Sequence, residues 1–109
     1  MLDVRTQAMT TLVTLTSASG FEVDIADIGA SIARISVPVQ DEVRDVVLAY
    51  EDAEYYASDP FYLGATLGRY ANRIRGGRFR LNGGSYQLAT QVEHAGHTLH
   101  GGPSGFSRR

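Results

Sequence analysis

Three histidines, His94, His97 and His100, are the only ones in the chain and fall within seven residues. Imidazole titrates near neutral pH and is a frequent metal ligand. A spacing of three gathers side chains on one face only in a helix. Gly96, Thr98 and Gly101-Gly102 argue against a helix here, and in an extended segment the three rings alternate. No metal site is expected; one functional histidine with two incidental neighbours is the reading. His100 stands out because Leu99-His100-Gly101-Gly102 places glycine directly after it, where missing side-chain bulk lets a ligand approach the backbone. His-Gly-Gly also opens the oxyanion-hole loop of some esterases, but no Gly-x-Ser-x-Gly elbow accompanies it. Acid–base work needs a second proton carrier, normally a carboxylate. After residue 60 the sole carboxylate side chain is Glu93, and nothing pairs it with His100. With no cysteine there is no thiolate ligand, disulfide or cysteine nucleophile.

A second constellation is Gly68-Arg69-Tyr70-Ala71-Asn72-Arg73-Ile74, followed by Arg75-Gly76-Gly77-Arg78. Its plainest reading is a solvated basic loop. Its functional reading is a grip on the hydroxyls of a neutral polyol, since arginine offers a fixed fork of N–H groups and asparagine both donates and accepts. The alternative is a small arginine-rich module for nucleic acid or protein, with Tyr70, Phe79 and Tyr86 as stacking partners. Charge speaks against nucleic acid. The net charge is −2, and residues 1–60 hold 11 acidic against 3 basic side chains while residues 61–109 hold 1 against 7. That acidic half opposes a phosphate backbone. All ten basic residues are arginine, which a GC-rich coding genome explains as well as any ligand does.

The elements that must position these residues read as strands. Thr10–Thr16 is rich in β-branched residues, and Phe21, Val23 and Ile25 recur at period two beyond a Ser19-Gly20 turn. Ala30–Val39 alternates, with Ile32, Arg34 and Ser36 opposing Ala33, Ile35 and Val37; Pro38 should end the strand or put it at an edge. Val43–Tyr50 reads as a fourth strand, buried on both faces through Val46-Val47-Leu48. Glu51–Pro60 reads as a loop or short helical turn, and Gly64–Ile74 shows no clean period. Asn82-Gly83 between alternating runs over Arg78–Ala89 is a hairpin signature. The expectation is one all-β antiparallel domain over residues 1–109, with five to seven strands arranged as a small sandwich. No apolar run approaches the ~20 residues of a membrane span, and Met1–Thr16 lacks an apolar signal core. A soluble, cytoplasmic protein is expected. The final Gly101–Arg109 stretch reads as a loop running on towards a further element, so the domain is expected to be incomplete.

The ordered series Gly29-Ala30-Ser31-Ile32, Asp45-Val46-Val47-Leu48, Gly64–Ile74, Gly77-Arg78-Phe79, Tyr86-Gln87-Leu88 and Leu99-His100-Gly101-Gly102 resembles the amino-terminal part of the aldose 1-epimerase, or galactose mutarotase, family. Each block is weak alone; six in order, across about residues 20–106, are specific. The resemblance implies a large antiparallel β-sandwich (the galactose-mutarotase-like supersandwich) of which this chain is the first third. It also implies interconversion of the α and β anomers of free aldoses such as galactose and glucose, with no cofactor. Asn72, Arg73 and His100 match the family's sugar-contacting positions and are assigned to binding hydroxyls, with His100 as an auxiliary proton donor at most. The resemblance places the family's acid, a histidine, and its base, a glutamate, beyond residue 109, so this chain alone is expected to be inactive. One departure is that Thr90–His97 contains no asparagine where the family usually has one. The partners implied are a small aldose, neither nucleic acid nor membrane, and self-association through an uncovered sheet face.

Overall fold

The computed structural model describes residues 9–109; the reading of the chain's start as free of a signal segment lies partly outside them. Four strands, β1 (Leu12–Thr16), β2 (Glu22–Ala26), β3 (Ser31–Val39) and β4 (Glu42–Asp45), form one antiparallel sheet in sequence order. Two two-stranded pieces follow. In the first, β5 (Arg73–Ile74) pairs with β8 (Thr98–Leu99); in the second, β6 (Arg78–Leu81) pairs with β7 (Gly84–Gln87). The all-β antiparallel expectation stands, with eight strands where five to seven were expected, because the two-residue β5 and β8 carry no period to read. Short 3-10 turns are the only helical elements among the described residues, and no helix is long and apolar enough to cross a membrane.

The register explains the sheet. Thr14 pairs with Asp24 and Asp24 with Arg34, so polar side chains from three strands share a face. Arg34 sends Nε to Asp24 Oδ2 at 2.7 Å, Nη2 to Glu22 Oε2 at 2.9 Å and Nη1 to Ser36 Oγ at 2.8 Å, while Thr14 Oγ1 donates to Asp24 Oδ1 at 2.6 Å. Such charge-assisted bonds are the stronger class of hydrogen bond. The other rows, Leu15–Val23–Ile35 and Val13–Ile25–Ile32, are apolar. Simple alternation would put Ile32 with Arg34, but a register shift between Asp24 and Ile25 carries Ile32 opposite Ile25 instead. Bulges of this kind re-aim side chains. Pro38 lies inside β3, paired with Val43, yet β2 ends opposite Ser36. The missing N–H of Pro38 therefore faces no strand, which is the edge position expected of it.

One reading fails. Val43–Tyr50 is not a buried strand: β4 stops at Asp45 and is exposed throughout, and Val46 and Leu48 are 58% and 80% exposed. A single further bond, Val46 N–H to the Ile35 carbonyl at 3.0 Å, prolongs the pairing. Val47 and the neighbouring Val23, Ile25 and Ile35 are no more than half-buried among the described residues. The shape agrees, with extents of 58 × 46 × 23 Å and a radius of gyration of 17.9 Å, against about 13 Å for a compact chain of this length. Buried side chains are correspondingly few: Ala26, Tyr56 and Leu99 are apolar, while Ser31, Ser36, Asp59, Gln91, Thr98 and Ser107 are polar.

The hydrogen bonds of Asp24, first from Arg34 and then from Thr14, hold its carboxyl below the usual 3.8. A depressed carboxyl contributes stability above its unfolded pKa and loses it as pH falls. Resistance to urea should thus weaken as pH drops below about 3.8, and Arg34→Ala should flatten that dependence while lowering the midpoint at neutral pH. An unchanged acid slope in the variant would contradict this account.

Candidate functional site

The site is assembled by the shortest sheet in the molecule. β5 pairs with β8 through Arg73–Leu99 and Ile74–Thr98. The next residues continue the contact in another form: His100 N–H donates to the Asn72 carbonyl at 3.0 Å, and Asn72 N–H donates to His100 Nδ1 at 2.9 Å. Both residues turn through the left-handed region, at φ 62° for Asn72 and 51° for His100. Asparagine and histidine tolerate that region better than most side chains. Asn72 secures it by accepting the Arg73 N–H on its own Oδ1 at 2.9 Å. The structure thus brings Asn72, Arg73 and His100 together, as the sequence suggested.

This arrangement fixes the chemistry of His100. With Nδ1 accepting the Asn72 N–H, the neutral ring carries its proton on Nε2 and presents a donor. Burial first, then the charges of Arg73 and His94, push its pKa below the ordinary 6.5, so the neutral form dominates at physiological pH. Arg73 and Asn72 are exposed beside it, and among the described residues the Arg73 guanidinium has no carboxylate partner.

Next to Asn72 opens a cleft of about 240 Å³ whose walls include Gly68, Arg69, Tyr70, Gly101, Ser104 and Phe106. Its backbone is interlocked. A Cβ on Gly101, at φ 93°, would overlap the Gly68 carbonyl oxygen, and one on Gly105 would lie 2.6 Å from the His100 carbonyl oxygen. Phe106 N–H donates to that Gly68 carbonyl at 3.1 Å. The guanidinium carbons of Arg69 and Arg109 stand 5.5 and 5.7 Å from the Phe106 ring centre, within cation–π range.

The other two histidines each have a hydrogen-bond partner of their own. His97 Nδ1 accepts the Gly76 N–H at 3.1 Å, pinning the turn before β6, and His94 Nε2 lies 3.2 Å from the Tyr62 hydroxyl. The three rings serve three separate partners, and no group of three metal-ligating side chains exists among the described residues.

Sequence reasoning also missed the support beneath His100. Asp59 is buried and accepts the Tyr50 hydroxyl at 2.6 Å, Phe61 N–H at 2.8 Å and Leu63 N–H at 2.6 Å. Arg108 donates to its carbonyl at 2.8 Å. The two backbone bonds bracket Tyr62, which they hold at φ 57°, a strained conformation for a bulky residue. Asp59-Pro60 did carry a signal, since aspartate commonly bonds the N–H two residues on. Gln91, buried in the stretch that lacks the expected asparagine, accepts the Leu99 N–H at 2.8 Å and carried no such signal.

A sequence profile described as aldose 1-epimerase matches residues 11–109. The aldose 1-epimerase of Haemophilus influenzae is 41% identical over 98 residues, covering 90% of this chain and 28% of the relative. Galactose mutarotase of Bos taurus is 40% identical over 87 residues, covering 79% and 25%. Among solved structures, an aldose epimerase homologue from C. elegans superposes with a TM-score of 0.81 at 27% identity, over 92% of this chain and 30% of that one. Galactose 1-epimerase from Lactobacillus acidophilus gives 0.73 at 25% identity, over 92% and 28%. The chain spans just over a quarter of the length of the curated relatives it matches.

Two outcomes follow from the geometry. The unfolded chain takes up a proton on His100 near pH 6.5 whereas the folded chain resists it, so stability should fall as pH drops below about 6.5. His100→Gln should reduce that slope in urea midpoints measured between neutral pH and pH 5. The Asp59 carboxylate, chiefly through its hydrogen bond, pushes Tyr50 up to about 12. Asp59→Asn should return one phenol towards the ordinary ~10 in a spectrophotometric titration and cost roughly 1–3 kcal/mol by leaving the half-buried Leu63 N–H without its acceptor.

Proposed function

The chain belongs to the aldose 1-epimerase family, and from that premise we propose that Asn72, Arg73 and His100 form one side of a site that binds a neutral aldose, such as galactose or glucose, for interconversion of its α and β anomers. The observation that carries this reading is the reciprocal Asn72–His100 pair, which leaves His100 offering Nε2–H to a ligand. Asn72 Oδ1 already accepts the Arg73 N–H, while no hydrogen bond engages its amide N–H groups among the described residues. Arginine has nothing but donors. The three side chains therefore form a donor-rich rim, suited to sugar oxygens and to the negative charge that grows on oxygen as the ring opens.

Anomer exchange requires a base for the anomeric hydroxyl and an acid for the ring oxygen. A His100 held in this tautomer is a donor and cannot serve as that base. Asp59 is saturated by hydrogen bonds, and Glu93 is exposed with no bond to the three residues among those described. We assign these residues to binding and orienting the sugar; the family resemblance puts the proton-abstracting group beyond residue 109.

The optical rotation of freshly dissolved α-galactose should decay at the uncatalysed rate in the presence of the folded chain. Galactose should still shift the His100 ring and Asn72 amide resonances, and Arg73→Ala should weaken that binding about tenfold, the equivalent of one charge-assisted bond at ~1.4 kcal/mol. Acceleration abolished by His100→Asn would show that the chain assembles a working acid–base pair, and absence of any galactose-dependent shift would remove the sugar reading.

A further inference from the structure

Behind the sugar-facing imidazole lies Tyr62, whose contacts the binding reading does not use. Its ring meets the His100 ring edge-on, with centroids 4.8 Å apart and planes at 70°. A single bond from Asn72 to Nδ1 fixes one atom of the imidazole but not its plane, because the terminal torsion of histidine is broad. The Tyr62 ring supplies the missing constraint.

Tyr62 is itself held on every side. Gln91 Oε1 accepts the Leu99 N–H, which orients the amide so that Nε2 donates to the Tyr62 oxygen at 3.3 Å. The Tyr62 hydroxyl also bonds His94 Nε2, at 3.2 Å, and donates to it when neutral His94 carries its own proton on Nδ1. The Arg108 guanidinium carbon stands 5.6 Å from the ring centre, and Asp59 brackets the Tyr62 backbone.

We infer that Tyr62 is a positioning residue for His100: its ring sets the plane of the imidazole, and its hydroxyl, tied to Gln91 and His94, keeps the ring there. The inference deepens the sugar-binding reading and rests on it for its functional meaning. The low proton affinity of His100 agrees, since burial is its leading cause and the Tyr62 ring covers one side of the imidazole. The charged or titratable groups around His100 are Arg73 on β5, His94 before β8, and Arg108 across Tyr62.

The test is nitrogen-detected NMR of the histidine rings in the 109-residue chain. The unmodified chain should show His100 protonated on Nε2 and His94 on Nδ1. In Tyr62→Phe, His94 should lose the Nδ1–H preference and the His100 pKa should rise part of the way towards 6.5. In Tyr62→Leu, the His100 pKa should rise towards 6.5 and its fixed tautomer should give way to a mixture. A Leu variant with intact β1–β4 amide shifts and an unaltered His100 would overturn the inference. If Tyr62→Leu does not fold, the Phe variant decides, and an unaltered His94 tautomer there would overturn it equally. Galactose added to the unmodified chain separates the two readings: lack of a response removes the sugar assignment and leaves the Tyr62–His100 result as it stands.

Discussion

One buried carboxylate organises the half of the molecule that carries the site. Among the described residues no cationic side chain bonds the Asp59 carboxylate; it is compensated instead by the Tyr50 hydroxyl and two backbone N–H groups. A charge taken out of water is tolerated only when its lone pairs are satisfied, so those three donors are obligatory, and they fix where the chain goes next. The chain must turn through a left-handed Tyr62 and can then leave only along Leu63-Gly64, where the Gly64 carbonyl receives the Ile32 N–H at 2.9 Å. The four-stranded sheet and the site loops are joined at that bond. The Asp59 carbonyl, by holding Arg108, draws in the segment that closes over Gly68.

This is a polar way of building a scaffold. Six buried polar side chains against three buried apolar ones mean that the described residues are positioned by directional bonds more than by close packing. Directional bonds give precise geometry across small areas, which is why a two-residue ladder such as β5–β8 can set Asn72 and His100 within hydrogen-bond reach. The apolar rows of β1–β3 are built to pack yet stay half-buried to exposed among the described residues.

Much of the fold was legible where side-chain period and backbone chemistry agree. The β6–β7 hairpin was written in Asn82-Gly83, both at positive φ, and in the alternation that stacks Phe79 on Tyr86 at 5.0 Å. The β1–β2 turn followed from Gly20 at φ 82°. Val46-Val47-Leu48 misled because an apolar run reports a tendency to be buried and not the presence of anything to bury it. The site was legible in part. Asn72, Arg73 and His100 lie in motifs, whereas Tyr62 and Gln91 matter through contacts spanning tens of residues, such as the 32 between Tyr62 and His94. Spacing along the chain cannot encode those, and the bulge near Ala33 escaped for the same reason, as its cause lies in the neighbouring strand.

The glycine interlock of the cleft has a consequence for how such a site can diversify. Because Gly101 lies against the Gly68 carbonyl, which also receives the Phe106 N–H, no one of these loops can gain a side chain or shift its path without displacing the others. Backbone variation there is accessible only as concerted, multi-residue change, a route that single substitutions do not reach. The rim imposes no such coupling: Arg69, Tyr70, Arg73 and Ser104 are exposed and project from a frame that does not depend on their size. Adaptation to a new ligand is therefore channelled into the identities of those side chains, with the floor beneath them held constant.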